Sequence, residues 1–199
     1  MGNWKRNSTL PDRIDDPVLG TIRFTNALDG MDEYQAELKL DGRRVTFDLY
    51  TDGTGRLQPC IIRARKIVDR FPAIQQKMQR YVENNILPSY NKIWCENKKP
   101  ITLKSMIGKL KLTQISTHPG PEATFWFDAG NLFAGHVLQL RMAKRTDLSI
   151  TTHLADSGQI RIAGYQNIAP ESRNRGVFKW TITCRDQANL DVMLLRNVV

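Results

Sequence analysis

At 199 residues, with 41% hydrophobic and 25% charged side chains, the chain has the size and composition of one ordinary globular domain, which excludes a disordered polymer. No run approaches the roughly 18 apolar residues that a membrane-spanning helix needs. The net charge of +9 is concentrated: residues 57–111 carry 12 basic and 3 acidic side chains, while residues 1–56 carry 8 and 10.

The N-terminus, Met1-Gly2-Asn3-Trp4-Lys5-Arg6, has no apolar signal core, and Arg6 stands where a myristoylation site requires Ser or Thr. Residues 1–16 are polar, end in Asp15-Asp16-Pro17, and read as a flexible lead-in. A β meander is expected next. Leu19 to Thr25 forms a short strand, and Tyr34, Ala36, Leu38 and Leu40 alternate with polar residues as in a half-buried strand. Asp41-Gly42 is a hairpin signal, because a type I′ turn needs positive φ at both central positions. Val45, Phe47 and Leu49 then alternate with Thr46, Asp48 and Tyr50 on the return strand.

From residue 57 the apolar period changes from two to 3.6. Ile61, Ala64, Val68 and Phe71 make one helical stripe; a second helix is expected from Ala73 towards Trp94, kinked or broken at Pro88, which lacks an N–H. Thr102 suits the N-cap of a third helix, Leu103 to Lys109. Strands return at Leu110 to Thr117, around Phe125 and Phe127, at His136 to Met142, and near Ile150. Phe178, Trp180 and Ile182 alternate in the tail. The predicted fold class is α+β: an antiparallel sheet meander with a central insert of two to three helices packed on one face. The predicted organisation is a lead-in (1–16), one domain (17–165) and a C-terminal β extension (166–199) on the same domain.

Chemistry-bearing patterns are sparse. Cys60, Cys95 and Cys184 are odd in number and widely spaced, which argues against a disulfide framework or a zinc site and for a reducing, cytoplasmic setting. Gly53-Thr54-Gly55-Arg56 lacks the Lys and Ser or Thr of a phosphate loop, so no cofactor and no metal are expected. His136 with nearby Asp128 is the minimum for acid–base work, but at strand period His136 joins Leu138 and Leu140, as a histidine fixing a turn would. Ser116, Ser149 and Ser157 lack the strand–nucleophile–helix context of a serine hydrolase. Arg63, Lys66 and Arg70 share a helix face, and with Lys77, Arg80 and Lys92 they form a stripe able to contact phosphates. Tyr81, Tyr90 and Trp94 are the aromatics that could stack on bases there.

The segment Phe125-Trp126-Phe127-Asp128-Ala129-Gly130-Asn131-Leu132-Phe133-Ala134-Gly135-His136, with Pro17-Val18-Leu19-Gly20, the Asp41-Gly42 hairpin and Ile101-Thr102, resembles domain of unknown function 2262. That family is mainly bacterial, and the resemblance spans roughly residues 15–165. It implies a shared fold and supplies no reaction. Ala129 and Asn131 stand where the family pattern tends to acidic residues, and Ala134 where it tends to an aromatic. The functional expectation is a non-catalytic, immunity-like or accessory module that binds another protein. The alternatives are nucleic-acid or polyanion binding through residues 57–111, and a hydrolase-like enzyme centred on His136 and Asp128. No membrane partner is expected.

Overall fold

A computed structural model describes residues 9–28, 30–95, 99–133, 136–142 and 150–155. The expected C-terminal β extension, with Phe178, Trp180 and Ile182, lies outside them, as do Cys184, Ser149 and Ser157.

Alternating apolar residues build one sheet of eight strands in chain order: β1 (Arg13–Asp16), β2 (Gly20–Leu28), β3 (Met31–Leu40), β4 (Arg43–Tyr50), β5 (Lys111–Thr117), β6 (Ala123–Asp128), β7 (Val137–Met142) and β8 (Ile150–Ala155). The β3–β4 turn is the expected hairpin, with φ of 50° at Asp41 and 74° at Gly42.

The sheet departs from expectation in one pairing. β4 and β5 run parallel, Phe47 beside Ile115 and Leu49 beside Thr117, so the sheet is mixed rather than purely antiparallel. The reason is the helical insert: parallel neighbours need a crossover of a dozen or more residues, and residues 51–110 provide it. Period-two alternation carries no information about strand direction. The lead-in also ends before residue 16. Arg13–Asp16 pair with Gly20–Arg23, and the turn is fixed by Asp16, whose Oδ1 accepts from the N–H groups of Val18 and Leu19 at 2.9 Å each. Arg65 clamps the same carboxylate from the first helix at 2.5 Å. Burial works against ionisation of Asp16, but the Arg65 guanidinium and the two N–H groups outweigh it and lower its pKa.

The insert forms three rods. The first is α1 (Gln58–Asp69). The second runs through α2 (Phe71–Tyr81), a π-helical turn (Val82–Ile86) and α3 (Leu87–Ile93). The third is α4 (Leu103–Lys109). Pro88 widens the second rod rather than breaking it. The wide turn precedes it, the Leu87 N–H reaching back to Val82 O, and side chains add bonds to the rod's carbonyls: Asn85 Nδ2 donates to Tyr81 O at 3.2 Å, and Ser89 Oγ to Asn85 O at 2.9 Å. Thr102 caps α4, its Oγ1 accepting from Ser105 N at 3.2 Å.

Cys60, Ile61, Ala64 and Ile67 of α1, and Phe71, Ile74 and Met78 of α2, join the strand residues Tyr34, Ala36, Phe47, Leu49, Ile115, Phe125 and Leu140 in one core. The rods thus cover the first face of the sheet, as expected. The loop after β6 adds Phe133, which meets the rings of Tyr90 and Trp94 edge-on at 5.3 and 5.8 Å. No helix among the described residues is long and apolar enough to cross a membrane.

Candidate functional site

Strand alternation that sends Phe47 and Leu49 into the core sends Asp48 and Tyr50 to the second face, and strand pairing assembles that face from distant residues. Asp48 lies between Gln35 of β3 and Ser116 of β5, and Ser116 pairs with Thr124 of β6. In the adjacent row Gln114 pairs with Trp126, and Trp126 with Gln139 of β7.

These side chains form a polar network across four strands. Gln35 Nε2 donates to Glu33 Oε1 at 3.1 Å. Gln114 Nε2 donates to Asp48 Oδ2 and, at 3.4 Å, to Ser116 Oγ. Trp126 Nε1 donates to the same Ser116 oxygen at 3.0 Å. Asp48 is only 1% exposed, and its Oδ1 is buried without a hydrogen-bond partner. Burial, with the repulsion of Glu33 added, pushes its pKa up to about 7, although Gln114, Gln35 and Ser116 pull the other way. Burial raises Glu33 as well. Neither carboxylate forms an ion pair among the described residues.

At one end of the network the Tyr50 ring stacks flat on His118, with centroids 4.6 Å apart. Burial, then Asp48 and Glu33, pushes the Tyr50 phenol far up. Burial lowers the His118 pKa, and Arg141 and Arg63 add to that while Glu122 opposes it.

The residues singled out from sequence lie elsewhere. Since Phe127 pairs with Leu138, the β6–β7 connection brings Asp128 and His136 to the same end of the sheet. There Asp128 is exposed and its Oδ1 caps the turn, accepting from Gly130 N at 2.8 Å; His136 is half-buried and its N–H closes the turn onto Phe133 O at 2.9 Å. Arg63 does not stand with the other cations, because its Nη1 donates to the carbonyls of His118 and Glu122 at 3.0 and 3.1 Å. Lys66, Arg70, Lys77, Arg80 and Lys92 are exposed. Tyr90 is buried against Phe133, and Tyr81 and Trp94 are half-buried against the core. Burial also raises the Cys60 thiol to about 11, and its Sγ, shut away from solvent, donates to Tyr50 O at 2.9 Å. No group of three or more His, Cys, Asp or Glu side chains that could hold a metal ion occurs among the described residues.

A cavity of about 200 Å³ opens on the other face, lined by Leu40, Phe71, Met78, Val82, Ile107 and Leu140. It contains neither the network nor the His136–Asp128 end.

The profile of one family, described as "Uncharacterized protein conserved in bacteria (DUF2262)", matches residues 16–152. The chain belongs to that family. No curated protein and no solved structure matches it. The span shared with DUF2262 contains the whole helical insert, the Glu33-to-Trp126 network and the Leu132-Phe133 turn. The resemblance seen in the Phe125–His136 segment therefore extends across the sheet. Family membership supplies no reaction, so the functional reading rests on the chemistry of the second face.

Sequence reasoning passed over Glu33, Gln35, Asp48, Gln114 and Trp126. No local signal marked them: an aromatic is an ordinary strand occupant, and alternation shows only that Asp48 lies opposite the apolar face.

Proposed function

We propose that this DUF2262 domain is a non-catalytic binding module whose protein partner docks on the second sheet face, over Gln35, Gln114, Trp126 and Gln139. The observation that carries this reading is Asp48, buried with no cation against it among the described residues and with its Oδ1 unpartnered. Burying a carboxylate without a cation costs stability, and an apolar residue of similar size would be better tolerated there. Such local conflicts concentrate at functional sites. The large apolar side chains exposed among the described residues are Val18 in the β1–β2 turn, Ile62 on α1 and Ile93 on α3, and none of them belongs to a strand of the second face. Recognition by polar groups fits better. A hydrolytic reading has less support: Asp128 is engaged as a turn cap, and Ser116 Oγ already accepts from two donors.

A photoreactive residue at position 139 tests the proposal in cells. The expected result is one discrete cross-linked adduct from position 139, absent from position 76 on the exposed side of α2 and lost with Trp126→Ala. Adducts from position 76 alone, or none from either position, would overturn it.

A second reading, polyanion binding, is favoured by the exposure of Lys66, Arg70, Lys77, Arg80 and Lys92, none of which pairs with a carboxylate among the described residues. Anisotropy titrations with labelled DNA and RNA test it at low and near-physiological salt. If it holds, binding weakens steeply with salt and falls in Lys66→Glu, Arg70→Glu, Lys77→Glu. Arg63→Glu is unsuitable, since it would break both bonds to the His118–Glu122 loop. Our first reading predicts no salt-sensitive complex.

A further inference from the structure

We infer that the Asp48–Glu33 pair is a binding site for a primary ammonium group, such as a lysine side chain carried by the partner proposed above; the inference rests on that reading of the second face. Two carboxylates sit close enough on one face to repel each other, in a chain that has 29 Lys and Arg side chains and places none of them against either acid among the described residues. Asp48 Oδ1 is buried and accepts nothing. The network is also unbalanced in a specific direction. Of its donors, Gln35 Nε2 serves Glu33, Gln114 Nε2 serves Asp48 and Ser116, and Trp126 Nε1 serves Ser116, which leaves the second Gln35 N–H and the Ser116 O–H. The surplus is of acceptors, namely Asp48 Oδ1, Glu33 Oε2 and the amide oxygens of the two glutamines.

A group that supplies positive charge and several N–H donors repairs both deficits at once. A compact ammonium fits better than a planar guanidinium, because Asp48 is enclosed between Gln35 and Gln114 on adjacent strands. A divalent metal fits less well, since the pair lacks a third His, Cys, Asp or Glu ligand among the described residues.

The test is thermal unfolding of the full chain at about pH 8 in methylammonium chloride, against equal concentrations of tetramethylammonium chloride and potassium chloride. Tetramethylammonium carries the charge but cannot donate a hydrogen bond; potassium reports a bare cation. Methylammonium alone should raise the midpoint, by about 1 °C at the concentration that half-fills the site. The increment should vanish in Asp48→Asn, shrink in Glu33→Gln and persist in Lys66→Glu. An equal rise with all three salts, a rise with potassium alone, no rise at all, or an undiminished rise in Asp48→Asn would overturn the inference. If methylammonium fails while the cross-link from position 139 stands, the docking face survives and only its ammonium chemistry falls. If the cross-link fails while methylammonium binds, the site is real and its ligand is not a protein partner.

Discussion

Replacing Asp48 by Asn stabilises the fold at about pH 8 and leaves it little changed near pH 4. The folded-state pKa is raised to about 7, whereas an unfolded aspartate ionises near 4. Between those values the folded state holds a proton that the unfolded chain has released, so this group makes stability fall as pH rises. The penalty is absent below about pH 4, grows towards pH 7 and is complete above it; its size is at most about 4 kcal/mol. Asparagine keeps the shape, still accepts from Gln114 and has no charge to desolvate. Urea unfolding of both proteins across this range should give curves that coincide at the acid end and separate towards neutrality. Parallel curves, or a wild type that gains on Asn as pH rises, would show that the charge of Asp48 is compensated.

Phe133→Ala should have an effect of similar size and opposite sign. Phe133 is 4% exposed and meets Tyr90 and Trp94 edge-on, joining the turn after β6 to the end of the second helical rod. Truncating a buried phenylalanine costs about 3–5 kcal/mol through lost transfer energy and the cavity left behind, and the aromatic geometry adds roughly 0.5–1.5 kcal/mol to what is removed. A lower urea midpoint with an unchanged slope is the expected result, with Phe133→Leu intermediate. A stable Phe133→Ala variant would mean that this turn segment does not serve to hold helix and sheet together.

The two substitutions also mark where the sequence was and was not readable. The apolar side of β3 and β4, the Asp41-Gly42 hairpin and the Thr102 cap are set by residues near one another in the chain, and period and turn chemistry reveal them. Asp48 is different. Alternation with Val45, Phe47 and Leu49 correctly assigns it to the opposite face, but its neighbours Gln35, Gln114 and Ser116 are brought beside it only by strand pairing. Nothing local distinguishes it from a solvated aspartate. Arg63 illustrates the same point: helical period groups it with Lys66 and Arg70, whereas its acceptors lie 55 and 59 residues further along the chain. The parallel β4–β5 pairing was hidden because apolar alternation is the same in either direction. His136 and Asp128, conspicuous in the sequence, owe their spacing to the turn they close.

The proposed docking would give a reason why a protein of net charge +9 sets none of its cations against these two acids among the described residues. A carboxylate paired internally would be unavailable to a partner, and an exposed one would be screened by solvent. The network holds the acid in place with neutral donors, and in our proposal the partner matches its charge.

The most direct test is the titration of the Asp48 carboxyl carbon resonance by NMR, assigned by comparison with Asp48→Asn. An uncompensated, buried carboxylate predicts a midpoint of about 7. A midpoint near 4, the ordinary aspartate range, would contradict the account, because Asp48 would then be solvated or already paired and the second face would hold no charge awaiting a ligand.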